Sequence, residues 1–249
     1  MEIRGKISVC IATYNGKSYV VQQIRSILPQ LKEEDEIIIS DDHSTDATLT
    51  ILESFKDRRI KIYMNPHKGI LSNFENALQH ATGEYFFLCD QDDIWKDNKV
   101  EEVMKNLTGG YDLVLSDCTL FERNITNIRE PSFFQLNRSR AGVLYNIWKN
   151  SYMGCCMAFN NKVKAAVLPF PKKIPMHDQW IGIIAELFFK VKFSEKKLIY
   201  YRVHNSNATS SGAGKSRYKL AKKILFRLQL IKVLLKYVFK RNVHEIFHS

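Results

Sequence analysis

The sequence lacks the long apolar segments and cysteine pairs that mark membrane-spanning or secreted proteins. No run of about eighteen apolar residues occurs, so we expect no spanning helix. The charged start of the chain and the short apolar run 7–12 do not resemble a secretory leader. The five cysteines are odd in number, lie in apolar runs and lack metal-ligand spacing. This pattern indicates reduced core thiols in a cytosolic protein.

Two glycine-rich phosphate-binding patterns are also absent. No G-x-G-x-x-G follows the first apolar run, which excludes the dinucleotide fingerprint, and no G-x-x-x-x-G-K-[ST] occurs, which excludes a P-loop. A sugar nucleotidyltransferase would need a glycine-rich Lys/Arg loop after the first strand, and the Thr-Tyr-Asn-Gly segment 13–16 is not one. A nucleotide would therefore have to be held by side chains and a metal ion.

Acidic residues are nearly missing from residues 213–249. This tail has ten Lys and Arg against Glu245 alone, so it carries +9 of the net charge of +11. The remaining residues carry only +2, so the basic pI is a property of the tail. We therefore expect no nucleic-acid partner for the body of the protein.

Short apolar runs alternate with helical patterns through the first part of the chain. This order favours an α/β fold with a mostly parallel central sheet and helices on both faces. The predicted strands are 7–12, 36–40, 60–63 and 85–89, and the predicted helices are 18–28, 46–55, 70–80 and 95–107. Because right-handed crossovers align the strands, their carboxyl ends should share one edge of the sheet.

The pattern changes after Gly109-Gly110. The sequence there predicts strands over 112–116, 154–160 and 197–203, a helix or lid over 133–150 and a polar loop over 205–214. We expect one domain over 1–212, with two halves at 1–108 and 109–212. The basic tail 213–249 follows as a helical extension.

Three acids in the segment Asp90-Gln91-Asp92-Asp93 directly follow the apolar run 85–89. Ligands bind at the carboxyl ends of strands in open parallel sheets. A hard divalent cation shared with a substrate diphosphate would relieve the repulsion among these carboxylates. The alternative is that Asp93 caps a helix running from Trp95 to Leu107.

Two further strands end in polar side chains at the same predicted edge. The first delivers Thr13, Tyr14 and Asn15, and the second delivers Asp41 and Asp42. A tyrosine ring can stack on a nucleobase, and an aspartate can accept hydrogen bonds from a base or a ribose. The alternatives are core packing for the tyrosine and turn formation for the two aspartates.

A helix cap is the preferred interpretation of Asp46, which precedes the predicted second helix.

Six motifs, in order, resemble glycosyltransferase family 2, whose members have the GT-A fold. They are Val9–Gly16, Ile39–Asp46, Leu88–Trp95, Gly154–Asn160, Met176–Trp180 and Tyr201–Asn205. The last three are similar to the rhamnosyltransferase-like branch in bacteria. The resemblance extends over roughly residues 5–210, and it implies a nucleotide-sugar-binding half over 1–108 and an acceptor-binding half over 109–212.

The resemblance implies roles for the donor-side residues. Tyr14 and Asp42, beside Thr13 and Asn15, would contact the nucleobase, and Asp90 would contact the ribose. Asn73 would contact the donor, although an exposed polar residue on a helix is an equal alternative.

The resemblance also implies a metal site and a catalytic base. Asp92 would bind Mn²⁺ or Mg²⁺, with His204 as a further ligand or a diphosphate contact. Arg202 would steady the diphosphate or form a surface pair. Asp178 would take the proton of the acceptor hydroxyl, and it would also serve as the N-cap of a helix over 179–189.

The implied activity is an inverting, metal-dependent sugar transfer in the synthesis of a bacterial surface polysaccharide. The donor would be dTDP-rhamnose or a UDP-hexose, and the acceptor a saccharide or a polyprenyl-diphosphate-linked glycan. Since the Q-x-x-R-W motif of processive synthases is missing, we expect one sugar per acceptor. The alternative is a non-catalytic, membrane-associated nucleotide-sugar-binding or scaffold protein.

The tail has apolar residues at helical spacing and lysines mostly on other faces. The apolar positions are Leu220, Ile224, Leu228, Ile231, Leu235 and Val238. This pattern predicts an amphipathic helix on an anionic membrane surface. The resemblance to family 2, whose members often use lipid-diphosphate acceptors, implies the cytoplasmic face of the inner membrane. The alternative is a helix packed on the body or on a second subunit of a homodimer.

Overall fold

The computed structural model describes residues 4–204 and 220–248, and it describes side chains as far as residue 240. The strands are β1 Ile7–Thr13, β2 Glu36–Asp41, β3 Ile60–Met64, β4 Tyr85–Asp90, β5 Ile94–Trp95, β6 Leu113–Phe121, β7 Ile128–Glu130, β8 Met157–Asn160 and β9 Val191–Arg202. The α-helices are α1 Val20–Ile27, α2 Thr48–Ser54, α3 Ile70–His80, α4 Lys99–Thr108, α5 Phe133–Asn137, α6 Val143–Trp148, α7 Asn161–Val167, α8 His177–Phe188 and α9 Leu220–His248. The predicted loop 205–214 lies outside the described residues.

The first four long strands form a parallel sheet in the order β3-β2-β1-β4. Strand β1 is central: Ile11 pairs with Ile39 on one side and with Cys89 on the other. Helices cover both faces of such a sheet, which explains why these strands are continuous apolar runs. The predicted α/β class is confirmed, and the carboxyl ends of the four strands lie along one edge.

The second half of the sheet is mixed. Strand β8 pairs antiparallel with both β4 and β6, and β9 runs parallel to β6. The short strands β5 and β7 add antiparallel pairings to β9 and β6. The last predicted strand is therefore longer than expected, because the whole segment 191–202 pairs along β6.

The helix predicted over 95–107 begins later, at Lys99. Ile94 and Trp95 instead pair with Tyr200 and Ile199 of β9. The capping alternative for Asp93 is therefore wrong, since its carboxylate lies well before the helix. This separation leaves the acidic segment free to line the sheet edge.

The segment 133–150 contains two short helices rather than one. Arg138 ends α5 with a left-handed φ of 50°, and Gly142 precedes α6 with φ of 124°. A positive φ interrupts helical hydrogen bonding, so the segment does not continue as one helix.

The five cysteines are free thiols and all are buried, as predicted. At the amino-terminal end of the sheet, Glu36 is also buried and accepts hydrogen bonds from Ser8, Lys6 and Lys61. This charged cluster lies away from the carboxyl-end edge.

The tail forms the predicted helix, α9, and it packs on the body. Leu230 and Leu234 are buried, and the Tyr237 hydroxyl donates to the Ala166 carbonyl at 2.7 Å. The Tyr237 ring meets Trp180 of α8 edge-on, with centroids 5.3 Å apart. Among the described residues, none of the helices has the length and apolar content needed to cross a bilayer.

Candidate active site

The candidate site lies where β1, β2 and β4 end. Thr13, Asp41 and Asp90 are the last residues of these strands, and the parallel register places them in adjacent rows. The predicted convergence of three polar clusters at this edge is therefore present in the structure.

Tyr14 has an exposed ring, so core packing does not explain it: 55% of the residue is accessible. Its backbone is held by Gln91, whose Oε1 accepts from the Tyr14 N–H at 2.9 Å and whose Nε2 donates to the Tyr14 carbonyl at 3.0 Å. Gly16 fits beside this amide, because a Cβ there would lie 2.3 Å from Gln91 Oε1. These two hydrogen bonds, the Gln91 clamp, fix the backbone of Tyr14, and its ring is left exposed to solvent.

Thr13 and Asn15 both hold the loops together. The Thr13 hydroxyl is buried and donates to Asp41 Oδ2 at 2.6 Å. Asn15 has a left-handed φ of 48°, and its Oδ1 accepts from the Thr45 N–H at 2.8 Å. These bonds connect the end of β1 to the segment after β2.

The two acids after β2 have different surroundings. Asp41 is fully buried and accepts from the Ser44 N–H, which is the predicted turn role. Asp42 is half-buried, and its two oxygens accept from Asn65 Nδ2 at 2.7 Å and the Gly69 N–H at 3.0 Å. Of the two aspartates, Asp42 is therefore the one that a bound ligand can approach.

Asp46 accepts from the N–H of Thr48, the first residue of α2, at 2.9 Å. Ala47 holds the N-cap position of α2, so the predicted cap is displaced by one residue, although Asp46 still accepts from the first N–H of the helix.

Asn73 lies in the first turn of α3 and is only 2% exposed. It is therefore not an exposed helix residue. Its Nδ2 donates to the Thr13 carbonyl at 3.1 Å. Asn73 therefore holds the end of β1 through this hydrogen bond.

The acidic segment contains a strongly perturbed carboxyl group. Burial, followed by the charges of Asp92 and Asp178, raises the pKa of Asp90 to about 7. Burial, followed by the charges of Asp92 and Asp90, raises the pKa of Asp93 well above its usual range. Asp90 and Asp93 are therefore harder to ionise, first because they are buried and then because other acids are close.

Asp92 and His204 are in direct contact. His204 Nε2 lies 2.7 Å from Asp92 Oδ2, and the Tyr19 ring stacks on the imidazole at 4.9 Å. Tyr19 directly precedes α1, and the sequence analysis did not identify it as a neighbour of His204.

Arg202 is buried, so it is not part of a surface pair. Its Nε donates to the Asp92 carbonyl at 2.8 Å, and its backbone N–H donates to Asp93 Oδ1 at 3.0 Å. Its guanidinium also reaches Gln22 Oε1. These bonds hold the acidic segment against the end of β9.

The acids fit a divalent cation. Ligand atoms of Asp90, Asp93 and Cys155 all lie within 4.8 Å of one another. Asp93 Oδ2 is buried and, within the described residues, has no hydrogen-bond partner. A cation among these carboxylates would offset both the repulsion and the unsatisfied oxygen. The predicted ligands Asp92 and His204 are not members of this cluster, and the sequence analysis gave Asp93 no ligand role of its own.

Asp178 lies in the first turn of α8, which begins at His177. It is therefore the second residue of the helix, and Met176 holds the N-cap position instead. Burial raises the pKa of Asp178 to about 7, although the Gln179 N–H donates to its Oδ1 at 2.6 Å and lowers it. A carboxyl group with this pKa can accept a proton near neutral pH.

His177 was not identified from the sequence. It stacks on Phe74 of α3 at 4.1 Å, and burial lowers its pKa to about 3, so it is neutral. Gly154 packs against it closely enough that a Cβ would lie 2.7 Å from Nε2. This packing ties the start of α8 to helix α3.

Comparison with known proteins assigns this arrangement to a family. Residues 8–167 match the family model described as glycosyl transferase family 2. The putative teichuronic acid biosynthesis glycosyltransferase TuaG of Bacillus subtilis is 27% identical, over 88% of this chain and 86% of that protein. The GalNAc(5)-diNAcBac-PP-undecaprenol beta-1,3-glucosyltransferase of Campylobacter jejuni is 26% identical, over 92% and 74%.

The fold agrees with a solved structure, that of S. aureus TarS 1–349 in complex with UDP-GlcNAc. The TM-score is 0.64 at 19% identity, covering 88% of this chain and 69% of that one. The predicted GT-A fold is thereby confirmed.

Proposed function

The chain belongs to glycosyl transferase family 2, and we propose that it transfers a single sugar with inversion from a nucleoside-diphosphate donor. We further propose that the acceptor is a saccharide linked to a polyprenyl diphosphate, and that the product enters a bacterial surface polysaccharide. The acceptor class is supported by the undecaprenol-linked substrate in the name of the Campylobacter jejuni relative. A hexose is the favoured sugar, because that relative is named a glucosyltransferase, and the candidate donors are a UDP-hexose and dTDP-rhamnose.

The observation that carries this proposal is the proximity of Asp178 to the ends of the donor-side strands. Its charge raises the pKa of Asp90, and its neighbour His177 stacks on Phe74 of α3. A carboxylate from the second half, 109–212, thus lies beside the acids of the first half, 1–108. These halves would bind the acceptor and the donor respectively.

The proposed reaction is one displacement. Asp178 takes the proton of the acceptor hydroxyl while that oxygen attacks the anomeric carbon. The bond between the anomeric carbon and the diphosphate oxygen breaks, and the nucleoside diphosphate leaves from the opposite face. The stereochemistry at the anomeric carbon therefore inverts.

The donor-side residues would orient the nucleotide. The exposed Tyr14 ring can stack on the base, and Asp42 can accept from its N–H groups, with Thr13, Asn15 and Asn73 fixing the loops that carry them. Asp90 would accept from the ribose.

Asp92 and His204 would hold Mn²⁺ or Mg²⁺ beside Asp93. When bound, the cation neutralises the charge that develops on the leaving diphosphate.

We place the protein at the cytoplasmic face of the bacterial inner membrane, where a polyprenyl-linked acceptor is accessible. The basic tail would contact the anionic lipid, and a homodimer through this tail is the competing arrangement.

A donor screen tests the proposal. UDP-glucose, other UDP-hexoses and dTDP-rhamnose are compared by thermal shift, with and without Mn²⁺. We expect one donor to raise the melting temperature chiefly when the metal is present, since a ligand of the folded state stabilises it.

Turnover with that donor and a polyprenyl-diphosphate-linked saccharide should then invert the anomeric centre. Donor binding without transfer to any such acceptor would instead favour the non-catalytic binding protein.

A further inference from the structure

Helix α9 has two apolar faces, although docking on the body needs only one. The inner face packs on the core through Leu230, Leu234 and their neighbours. The outer face consists of Ile224, Leu225, Leu228, Ile231, Leu235 and Phe239, all of them exposed. Leu235 and Phe239 are 67% and 73% accessible, so packing on the body does not account for them. The apolar positions that predicted a single amphipathic stripe are therefore mostly on the side away from the body.

The end of α6 extends this apolar surface. Leu144 is 84% and Trp148 68% exposed. Arg227 of α9 stacks on the Trp148 ring at 4.1 Å and donates to the Trp148 carbonyl at 2.7 Å. This contact places the exposed residues of α6 directly beside α9. The two helices therefore form one surface.

Basic side chains flank the outer face. Lys232, Lys236 and Lys240 are exposed, and the sequence from 220 to 240 has no Asp or Glu. Exposed apolar residues beside uncompensated lysines are the pattern of a helix that lies in a lipid–water interface. Lysines gain from anionic headgroups while the apolar side chains leave water.

We propose that the outer face of α9, with Leu144 and Trp148 of α6, docks on an anionic lipid bilayer. Charge complementarity selects this occupant over a second copy of the chain. Two such surfaces would bring their lysines together, and each chain already carries a net charge of +11. Like charges in contact oppose association.

This surface is coupled to the acceptor side of the candidate active site. Gln179, the residue after Asp178, donates through Nε2 to the Asn146 carbonyl of α6 at 2.8 Å. At the other end of α8, the Phe188 ring packs on Tyr237 of α9. Docking would thus hold the Asp178 side towards a lipid-linked acceptor. This last step rests on the proposed function, whereas the docking itself is tested without turnover.

Trp148 provides a direct optical test. The other two tryptophans, Trp95 and Trp180, are buried in the core. Intrinsic fluorescence is recorded while the full chain is titrated with vesicles of phosphatidylglycerol and phosphatidylcholine in equal parts. We expect a blue shift from Trp148, and no shift with phosphatidylcholine alone. The shift should be absent in Trp148→Phe, which still co-sediments with the anionic vesicles.

Two surface variants test the chemistry of docking. Lys232→Glu with Lys236→Glu should lower the partition coefficient onto anionic vesicles by about tenfold or more. Leu228→Ser with Leu235→Ser should also lower it by about tenfold, because apolar burial is lost. The matched control Lys105→Glu with Lys197→Glu makes the same charge change on exposed sites of α4 and β9 and should partition like the wild type.

Every outcome bears on the proposal. Circular dichroism and donor-induced thermal shift verify that each variant is folded and that the donor site is intact. Equal binding to neutral and anionic vesicles, or equal loss in the control, would overturn docking. So would a concentration-dependent dimer that the serine variant abolishes while vesicle binding persists. Loss of transfer with docking retained would instead count against the proposed function alone.

Discussion

The Asp178 carboxyl group gives the proposed reaction a defined pH dependence. A general base acts in its deprotonated form, and burial raises the pKa of Asp178 to about 7. We therefore expect kcat/KM to fall about tenfold per pH unit below about pH 7 and to level off above it. The measurement is kcat/KM against pH at saturating metal.

Asp178→Asn serves as the control for this profile. It should lower kcat by about 10² to 10⁴, remove the inflection near neutral pH and leave donor binding, measured by thermal shift, unchanged. A wild-type profile that stays flat down to about pH 5, where an acid of ordinary pKa is still ionised, would contradict the assignment.

Residues that lie directly after strand patterns were predictable, and residues that act across the fold were not. Asp90 and Asp92 follow an apolar strand, so their place at the sheet edge follows from topology. Gln91 and Asp93 occupy the same segment, yet their roles depend on Tyr14 and Arg202, which are distant in sequence. Only the folded chain brings these pairs together.

At the scale of elements, the succession of strands and helices along residues 1–108 could be predicted from local pattern. Several element boundaries are instead set by strand pairing. The helix predicted from Trp95 begins at Lys99, because Ile94 and Trp95 find partners in β9. The strand β9 starts at Val191 for the same reason, since it pairs along β6. Partners that distant in sequence cannot be identified from a short window.

The loops after β1 and β4 should act as one donor-binding unit, because Gln91 makes two hydrogen bonds with the Tyr14 backbone. Gln91→Ala removes both, and each contributes about 1 kcal/mol. We expect the dissociation constant of the donor to rise by up to about thirtyfold, the equivalent of the two bonds, as measured by titration calorimetry with Mn²⁺.

Gln79→Ala is the matched control for the Gln91 clamp, because Gln79 is exposed on α3. It should bind donor like the wild type. Should Gln91→Ala also bind donor with wild-type affinity, the loops would not depend on the clamp.

At the scale of the whole molecule, the two ends of the sheet have opposite electrostatic character. At the carboxyl end, burial and mutual repulsion raise the pKa values of Asp90 and Asp93. At the amino end, burial opposes ionisation of Glu36, yet bonds from Lys61, Ser8, Thr82 and Lys6 lower its pKa to about 2. The buried acids at the carboxyl end destabilise the fold, whereas the hydrogen bonds to Glu36 at the amino end stabilise it.

Glu36 should therefore contribute to the acid sensitivity of the fold. Its pKa is lower in the folded state than in the unfolded state, so its contribution is present above about pH 5 and is lost as the pH falls towards 2. Because Lys6 and Lys61 are partly exposed, we expect Glu36→Gln to lower the free energy of unfolding by about 1–2 kcal/mol at neutral pH. Urea unfolding at a series of pH values should show this difference shrinking below about pH 4.

Glu33→Gln, at an exposed ion pair with Arg58, should stay within about 0.5 kcal/mol of the wild type throughout. A deficit in Glu36→Gln that is the same at every pH would mean that lost packing, rather than lost charge, causes it.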